Sequence, residues 1–314
     1  MHHHVALDTA DDMHRLVRFL TGRARGIVAC GGGAFSAAHI GIVRALAESG
    51  FAFDILGGTS GGSAMMAGVA LDHAPSAMSA AVDDIFVTGR AMRRYTVPRY
   101  SLIDHTHFDR LLARHFGDTR IEDLQLPYFA AATNLSRNAL HLIRTGPLWQ
   151  AVRASSSIPV MLPPCYTADG EMLVDGCLLD NVPVGAMRGI KSGPNVVISF
   201  EAPAMERFTV DYAALPGRTA LLKAALLPAL RHALPSAPGV GTVLMRSLRA
   251  NRQEFERHLA PDDLLLVPPF PAGVGILDWH RHAEIADHAY RWAAAELERR
   301  EAAGDPALAA LRGA

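Results

Sequence analysis

Strand-length apolar runs alternate with amphipathic stretches along most of this chain. Residues 26–30 (GIVAC), 53–56 (FDIL), 127–133 (PYFAAAT), 140–143 (LHLI), 172–177 (MLVDGC), 195–200 (NVVISF) and 264–267 (LLLV) read as strands. Residues from 37 to about 49, from the Ser60 turn to about 71, and 104–116, 148–155 and 281 to about 301 read as helices. Regular alternation of this kind predicts an α/β fold with a largely parallel central sheet. Residues 11–20 form an amphipathic helix with Met13, Leu16, Val17 and Leu20 at helical spacing, expected to pack on the edge of the core. Residues 207–249 lack strand signals and are broken by Pro228, Pro235 and Pro238, which predicts a helical cap. Its apolar segment 221–230 suits either a cover over the core or a lipid-facing surface. The last dozen residues, rich in alanine with Gly304 and Pro306, are expected to fray.

Composition narrows the function. Half of the 314 residues are hydrophobic and 19% are charged, enough for a large globular core. A formal net charge of −1 leaves no electrostatic footprint for nucleic acid. Cys30, Cys165 and Cys177 are too few and too scattered for a disulfide framework or a zinc site, and point to reduced thiols in the cytoplasm. Residues 2–4 are a histidine run, native or a tag remnant, set aside from fold reasoning. Asp8, Asp11 and Asp12 stand where a secretory signal would be apolar, and no apolar stretch reaches membrane-spanning length.

Two βα junctions carry the candidate chemistry. The first strand runs into Gly31, Gly32 and Gly33 ahead of a helix, a geometry that turns consecutive N–H groups into one concavity. The spacing is neither the dinucleotide-binding pattern nor a P-loop. The second strand runs into Gly58-Thr59-Ser60-Gly61-Gly62, which fits G-x-S-x-G. That pattern lifts a serine hydroxyl clear of a tight strand-to-helix turn, although a glycine turn without chemistry has the same local composition. Right-handed crossovers bring the two junctions together at one sheet edge. Acyl transfer needs that pairing of a nucleophile with N–H donors for the oxyanion.

A serine nucleophile needs a base. His232, His258, His280, His282 and His288 follow in the chain order of a Ser–His–Asp triad, but none sits at a strand-end turn. His39 follows the glycine loop and suits packing at least as well as chemistry. Asp175 is the sharper candidate, at the C-terminal end of a strand and followed by Gly176. Acting directly on the serine, it must be desolvated enough for its pKa to rise toward working pH. Asp180, ahead of Asn181-Val182-Pro183, reads as a structural cap.

Four blocks in this order, GGGAFSAAHIGIVRAL, DILGGTSGGSAMM, RASSSIPVMLPP and MLVDGCLLDNVPV, resemble the catalytic domain of the patatin-like phospholipase family. They span residues from about 26 to 200, and residues 11–24 are similar to the lead-in of neuropathy-target-esterase-like members. The resemblance implies a three-layer α/β/α fold with Ser60 as nucleophile and Asp175 as general base. It also implies an oxyanion hole from the Gly31, Gly32 and Gly33 loop, to which the Gly61 amide adds, and no metal or cofactor. The implied substrates are phospholipids, lysophospholipids or related lipid esters. Phe35 and Ser36 stand where the family loop usually has a basic residue and glycine, and Cys177 where glycine or alanine usually follows Asp-Gly.

The expected organisation is an N-terminal helix and connector (1–25) and one catalytic domain (26–314). Within the latter lie core motifs at 26–200, a cap at about 207–258, and a last strand and helix at 264–302. A cytoplasmic serine acyl hydrolase is the favoured reading, with contact at a membrane surface and oligomeric state both open. The alternatives are a triad esterase, or a catalytically weak module that binds lipid or a partner.

Overall fold

The computed structural model describes residues 10–200, 208–250 and 255–313. The histidine run, Asp8 and parts of the expected cap (207 and 251–254) lie outside them. The chain divides into two compact units, residues 1–201 with 252–314, and residues 202–251.

The first unit is built on an eight-stranded sheet. In chain order its strands are β1 (Gly26–Ala29), β2 (Ile55–Thr59), β3 (Tyr128–Asn134), β4 (Ala139–Ile143), β5 (Cys165–Tyr166), β6 (Met172–Asp175), β7 (Asn195–Ile198) and β8 (Leu264–Leu266). Pairings β1–β2, β1–β7, β2–β3 and β7–β8 are parallel; β3–β4, β3–β6 and β5–β6 are antiparallel. Strands β1, β2, β3 and β7 are buried along their whole length. Burial of both faces explains why they read as near-continuous apolar runs. The flanking helices are α1 (Ala10–Leu20), α2 (Ala38–Glu48), α3 (Gly61–Ala70), α4 (Pro75–Val82), α5 (His105–Phe116), α6 (Leu148–Ser155) and α7 (Val184–Ile190), with α10 (His282–Ala302) and α11 (Pro306–Arg312) near the C-terminus. The second unit contains α8 (Arg218–Leu226) and α9 (Val240–Ala250).

One register detail positions the site. β4 lies along Ala130 to Asn134 of β3 and so fills one edge of that strand. β2 and β6 must therefore share the other edge. They run toward each other, β2 ending with Thr59 opposite Ala131 and β6 ending with Asp175 opposite Ala132. Their C-terminal ends meet head-on at consecutive positions of β3.

Two expectations are corrected. Helix α1 turns its polar side inward: Asp12 and Arg15 are buried, whereas Met13, Val17 and Leu20 are 44%, 50% and 78% exposed. The cause is Asp54, buried just before β2, which takes a bidentate pair from Arg18 at 2.6 and 2.9 Å and the Arg25 N–H at 2.8 Å. Gln125 also donates to Asp12 at 2.7 Å. A buried carboxylate must be paired, and that requirement overrides the apolar stripe. The C-terminus does not fray as expected. Asp305 accepts from the Ala307 N–H at 2.9 Å, Pro306 opens α11, and Ala307, Leu308 and Leu311 are buried.

Candidate active site

Ser60 joins β2 to α3 with φ 53° and ψ −127°. This is left-handed space for a residue with a Cβ, a strain of about 1–3 kcal/mol that the surroundings must hold. They hold it through hydrogen bonds. The Ser60 N–H donates to Ser155 Oγ at 2.8 Å, and Ser155 Oγ donates to the Ala131 carbonyl at 2.6 Å. The Ser60 carbonyl accepts from Ser63 Oγ at 2.6 Å. Gly62 lets α3 start against β1, because a Cβ there would run into the Ala29 and Cys30 carbonyl oxygens.

Asp175, fully buried, faces Ser60 from the end of β6. Ser60 Oγ donates to Asp175 Oδ2 at 2.7 Å, and the Cys177 N–H donates to Oδ1 at 2.9 Å. The Asp175 N–H donates to the Ser157 carbonyl at 2.9 Å. Burial pushes the carboxyl up to about 6, against the opposing pull of the Cys177 and Ser60 donors. Behind it, the buried Arg153 guanidinium donates to Ser157 Oγ and to Asp109 Oδ1, both at 2.6 Å. α6 and the turn after it thus fix both ends of the Ser60–Asp175 pair.

The glycine loop beside Ser60 is part occupied. The Gly31 N–H already donates to Asn181 Oδ1 at 3.1 Å, and Asn181 Nδ2 donates back to the Gly31 carbonyl at 3.2 Å. Gly31 is therefore a clamped position, whereas the N–H groups of Gly32, Gly33 and Gly61 bond to no described residue. Gly33 has φ 57°, and a Cβ there would strike the Ile276 carbonyl, so only glycine fits the turn without strain. Phe35 points away into aromatic packing, its ring 4.3 Å from that of Phe270. Ser36 is fully buried against Gly61, and its hydroxyl has no partner among the described residues.

No described histidine bonds Ser60 or Asp175. His39 is buried, donates from Nε2 to the Cys30 carbonyl at 2.8 Å and stacks on Phe200. Burial lowers its pKa to about 4, so it is a neutral packing residue. His282 Nδ1 donates to the Trp279 carbonyl at 2.9 Å, and His280 and His258 are exposed. His232 is exposed in the second unit. Asp180 holds a turn: its Oδ1 accepts from the Val182 N–H at 3.1 Å and its carbonyl from Thr59 Oγ1 at 2.9 Å. It does not cap a helix directly, because α7 begins only at Val184 with Pro183 before it.

A strained serine elbow, a buried carboxylate on its hydroxyl and free amides alongside coincide with a match to the patatin-like phospholipase family model over residues 27–188. The chain belongs to the patatin-like phospholipase family. It is 38% identical over 199 residues to rat patatin-like phospholipase domain-containing protein 7, covering 62% of this chain and 15% of that protein. Lysophospholipase NTE1 of Yarrowia lipolytica is 36% identical over 212 residues, 63% of this chain and 14% of the relative. Lysophospholipase NTE1 of Coccidioides immitis is 33% identical over 305 residues, 92% and 18% respectively. The chain thus spans less than a fifth of these curated relatives. Among solved structures, VipD from Legionella pneumophila aligns with a TM-score of 0.49 at 14% identity, over 88% of this chain and 67% of that one.

Reading the sequence residue by residue missed Ser155, Ser157, Arg153 and Asn181. Each lies inside a motif block, but its role depends on contacts far along the chain. The available signal was a buried-type segment, RASSSIP, with more polar groups than packing needs.

Proposed function

We propose that this chain is a serine lipid acyl hydrolase, cleaving phospholipid, lysophospholipid or related lipid esters through a Ser60–Asp175 dyad. The observation that carries the reading is the 2.7 Å hydrogen bond from Ser60 Oγ to a fully buried carboxylate. With its carboxyl near 6, Asp175 is ionised at neutral pH yet basic enough to accept a proton in the transition state. Ser60 Oγ attacks the ester carbonyl as its proton passes to Asp175. The carbonyl oxygen, now an anion, accepts hydrogen bonds from the amides of Gly32, Gly33 and Gly61 at the N-terminus of α3. Collapse expels the lyso-lipid or alcohol, which takes the proton from Asp175 and leaves an acyl-Ser60 ester. Asp175 then takes a proton from water, whose oxygen attacks that ester. The second collapse returns the proton to Ser60 and releases the fatty acid. The names of the relatives, phospholipase and lysophospholipase, support the lipid class.

The test is labelling by a fluorophosphonate probe with turnover over a panel of lipid esters. Wild type should label and hydrolyse, while Ser60→Ala should do neither. Asp175→Asn should lose both while remaining folded. Full labelling of Asp175→Asn with loss in His282→Ala would favour a histidine base, and lipid binding without turnover would favour a weak module.

A further inference from the structure

The second unit carries a surface that the hydrolase reading does not use. Between residues 208 and 250 the sequence holds five basic residues (Arg218, Lys223, Arg231, Arg246 and Arg249) against one acid, Asp211. Its exposed large apolar side chains crowd around α8, where the single buried residue is Ala224. At about 100° per residue, Leu222 and Leu226 fall on the face opposite Ala224. Arg218 and Lys223 fall on either side of them. Leu222 is 53% exposed and Leu226 80%, and Leu227, directly after the helix, is 56% exposed. Neither Arg218 nor Lys223 has an ion-pair partner among the described residues.

We propose that α8 docks on an anionic lipid surface, with Leu222 and Leu226 in the acyl boundary and Arg218 and Lys223 at the phosphates. The choice of a lipid occupant rests in part on the lipid-ester reading above. Charge decides between occupants. Pairing α8 with the α8 of a second copy would set Arg218 and Lys223 against the same two cations, whereas an anionic bilayer complements both. Long basic side chains flanking an apolar ridge extend to the headgroups while their stems lie along the hydrocarbon. This pattern suits a helix lying in the interface plane. Each cation near such a surface strengthens binding roughly fivefold.

The experiment is co-sedimentation of the full chain with vesicles of phosphatidylcholine alone or mixed with phosphatidylglycerol. Wild type should bind the mixed vesicles more tightly, and added salt should weaken that binding. Leu222→Ser with Leu226→Ser should reduce partitioning at least tenfold on the mixed vesicles. Arg218→Glu with Lys223→Glu should abolish the preference for anionic lipid. Both pairs are exposed, so the melting temperature and hydrolysis of a soluble short-chain ester should stay at wild-type values. Wild-type partitioning in the leucine pair overturns the proposal. So does absence of vesicle binding by wild type, or a dimer that the leucine pair converts to monomer in light scattering. Vesicle binding is read without turnover, so a wild type that binds but hydrolyses no ester overturns the catalytic reading and leaves this one standing. Hydrolysis of soluble ester without vesicle binding does the reverse.

Discussion

Asp175→Asn should make the protein inactive and, above neutral pH, more stable. The wild-type carboxyl rises from an ordinary 3.8 to about 6 on folding, because burial removes it from water and the Cys177 N–H, the Ser60 hydroxyl and the Cys177 side chain offset only part of the loss. A raised carboxyl pKa means that the native state binds the proton more tightly than the unfolded chain does. The associated stability is fully present below about 3.8 and is lost as pH climbs through about 6. A rise of about two units corresponds to roughly 3 kcal/mol. The asparagine variant carries no such charge; its amide oxygen keeps the Cys177 N–H and its amide nitrogen donates to Ser60 Oγ. The difference in unfolding free energy, variant minus wild type, should therefore grow by roughly 2.5 kcal/mol between pH 4 and pH 8. Urea unfolding at several pH values measures it, and every other titrating group cancels in the difference. Ester turnover should fall by about 10²–10⁴-fold, the usual contribution of a general base. A difference that stays flat across this pH range would mean that Asp175 is not a strained buried carboxylate, and the argument for its basicity would collapse with it.

The same group sets the pH profile: kcat/KM on a soluble ester should rise about tenfold per pH unit below about 6 and level off above it. A limb that instead follows His282→Ala would assign the base to histidine. Ser155→Ala leaves the buried Ser60 N–H without an acceptor and the Ala131 carbonyl without a donor. Urea denaturation should show a loss of about 1–3 kcal/mol, and kcat should drop because the elbow is no longer held. Ser36→Ala removes a buried hydroxyl that bonds to no described residue, and should raise stability by about 1 kcal/mol in the same assay. A destabilised Ser36→Ala protein would show that the hydroxyl has a partner after all.

Ser60 and Asp175 were legible because each is announced by local turn chemistry, glycines around one and Asp-Gly after the other. The parallel strands were legible because burial on both faces makes them uniformly apolar. What failed to show was long-range. Asn181 clamps Gly31 across 150 positions of chain, and its only local cue was a capping-type sequence. α1 carries a clear apolar stripe, yet the buried Asp54 draws its polar face inward. Periodicity records which residues share a face, not which face the core demands. The two-residue strand β5, after a Pro-Pro loop, is too short to leave a periodic signal.

The antiparallel entry of β6 was the least visible feature and explains most about the site. Had β6 run parallel to β3, its C-terminal end would lie at the far side of the pairing, away from Ser60. Running against β3, it delivers Asp175 opposite Ala132, one step from the Ala131 position opposite which β2 ends. The same Ala131 holds Ser155, which holds the Ser60 N–H. A single strand thus sets the proposed nucleophile and the proposed base at consecutive positions. The carboxylate is then fixed by backbone groups, the Ser157 carbonyl on its N–H and the Cys177 N–H on its Oδ1. A triad uses its third residue to orient the base. Here the ladder and the turn after it perform that orientation, so the proposed dyad needs no third side chain to hold its carboxylate. A one-residue slip of β6 along β3 would turn Asp175 to the other face of the sheet, which makes register, rather than any third side chain, the element on which this dyad depends.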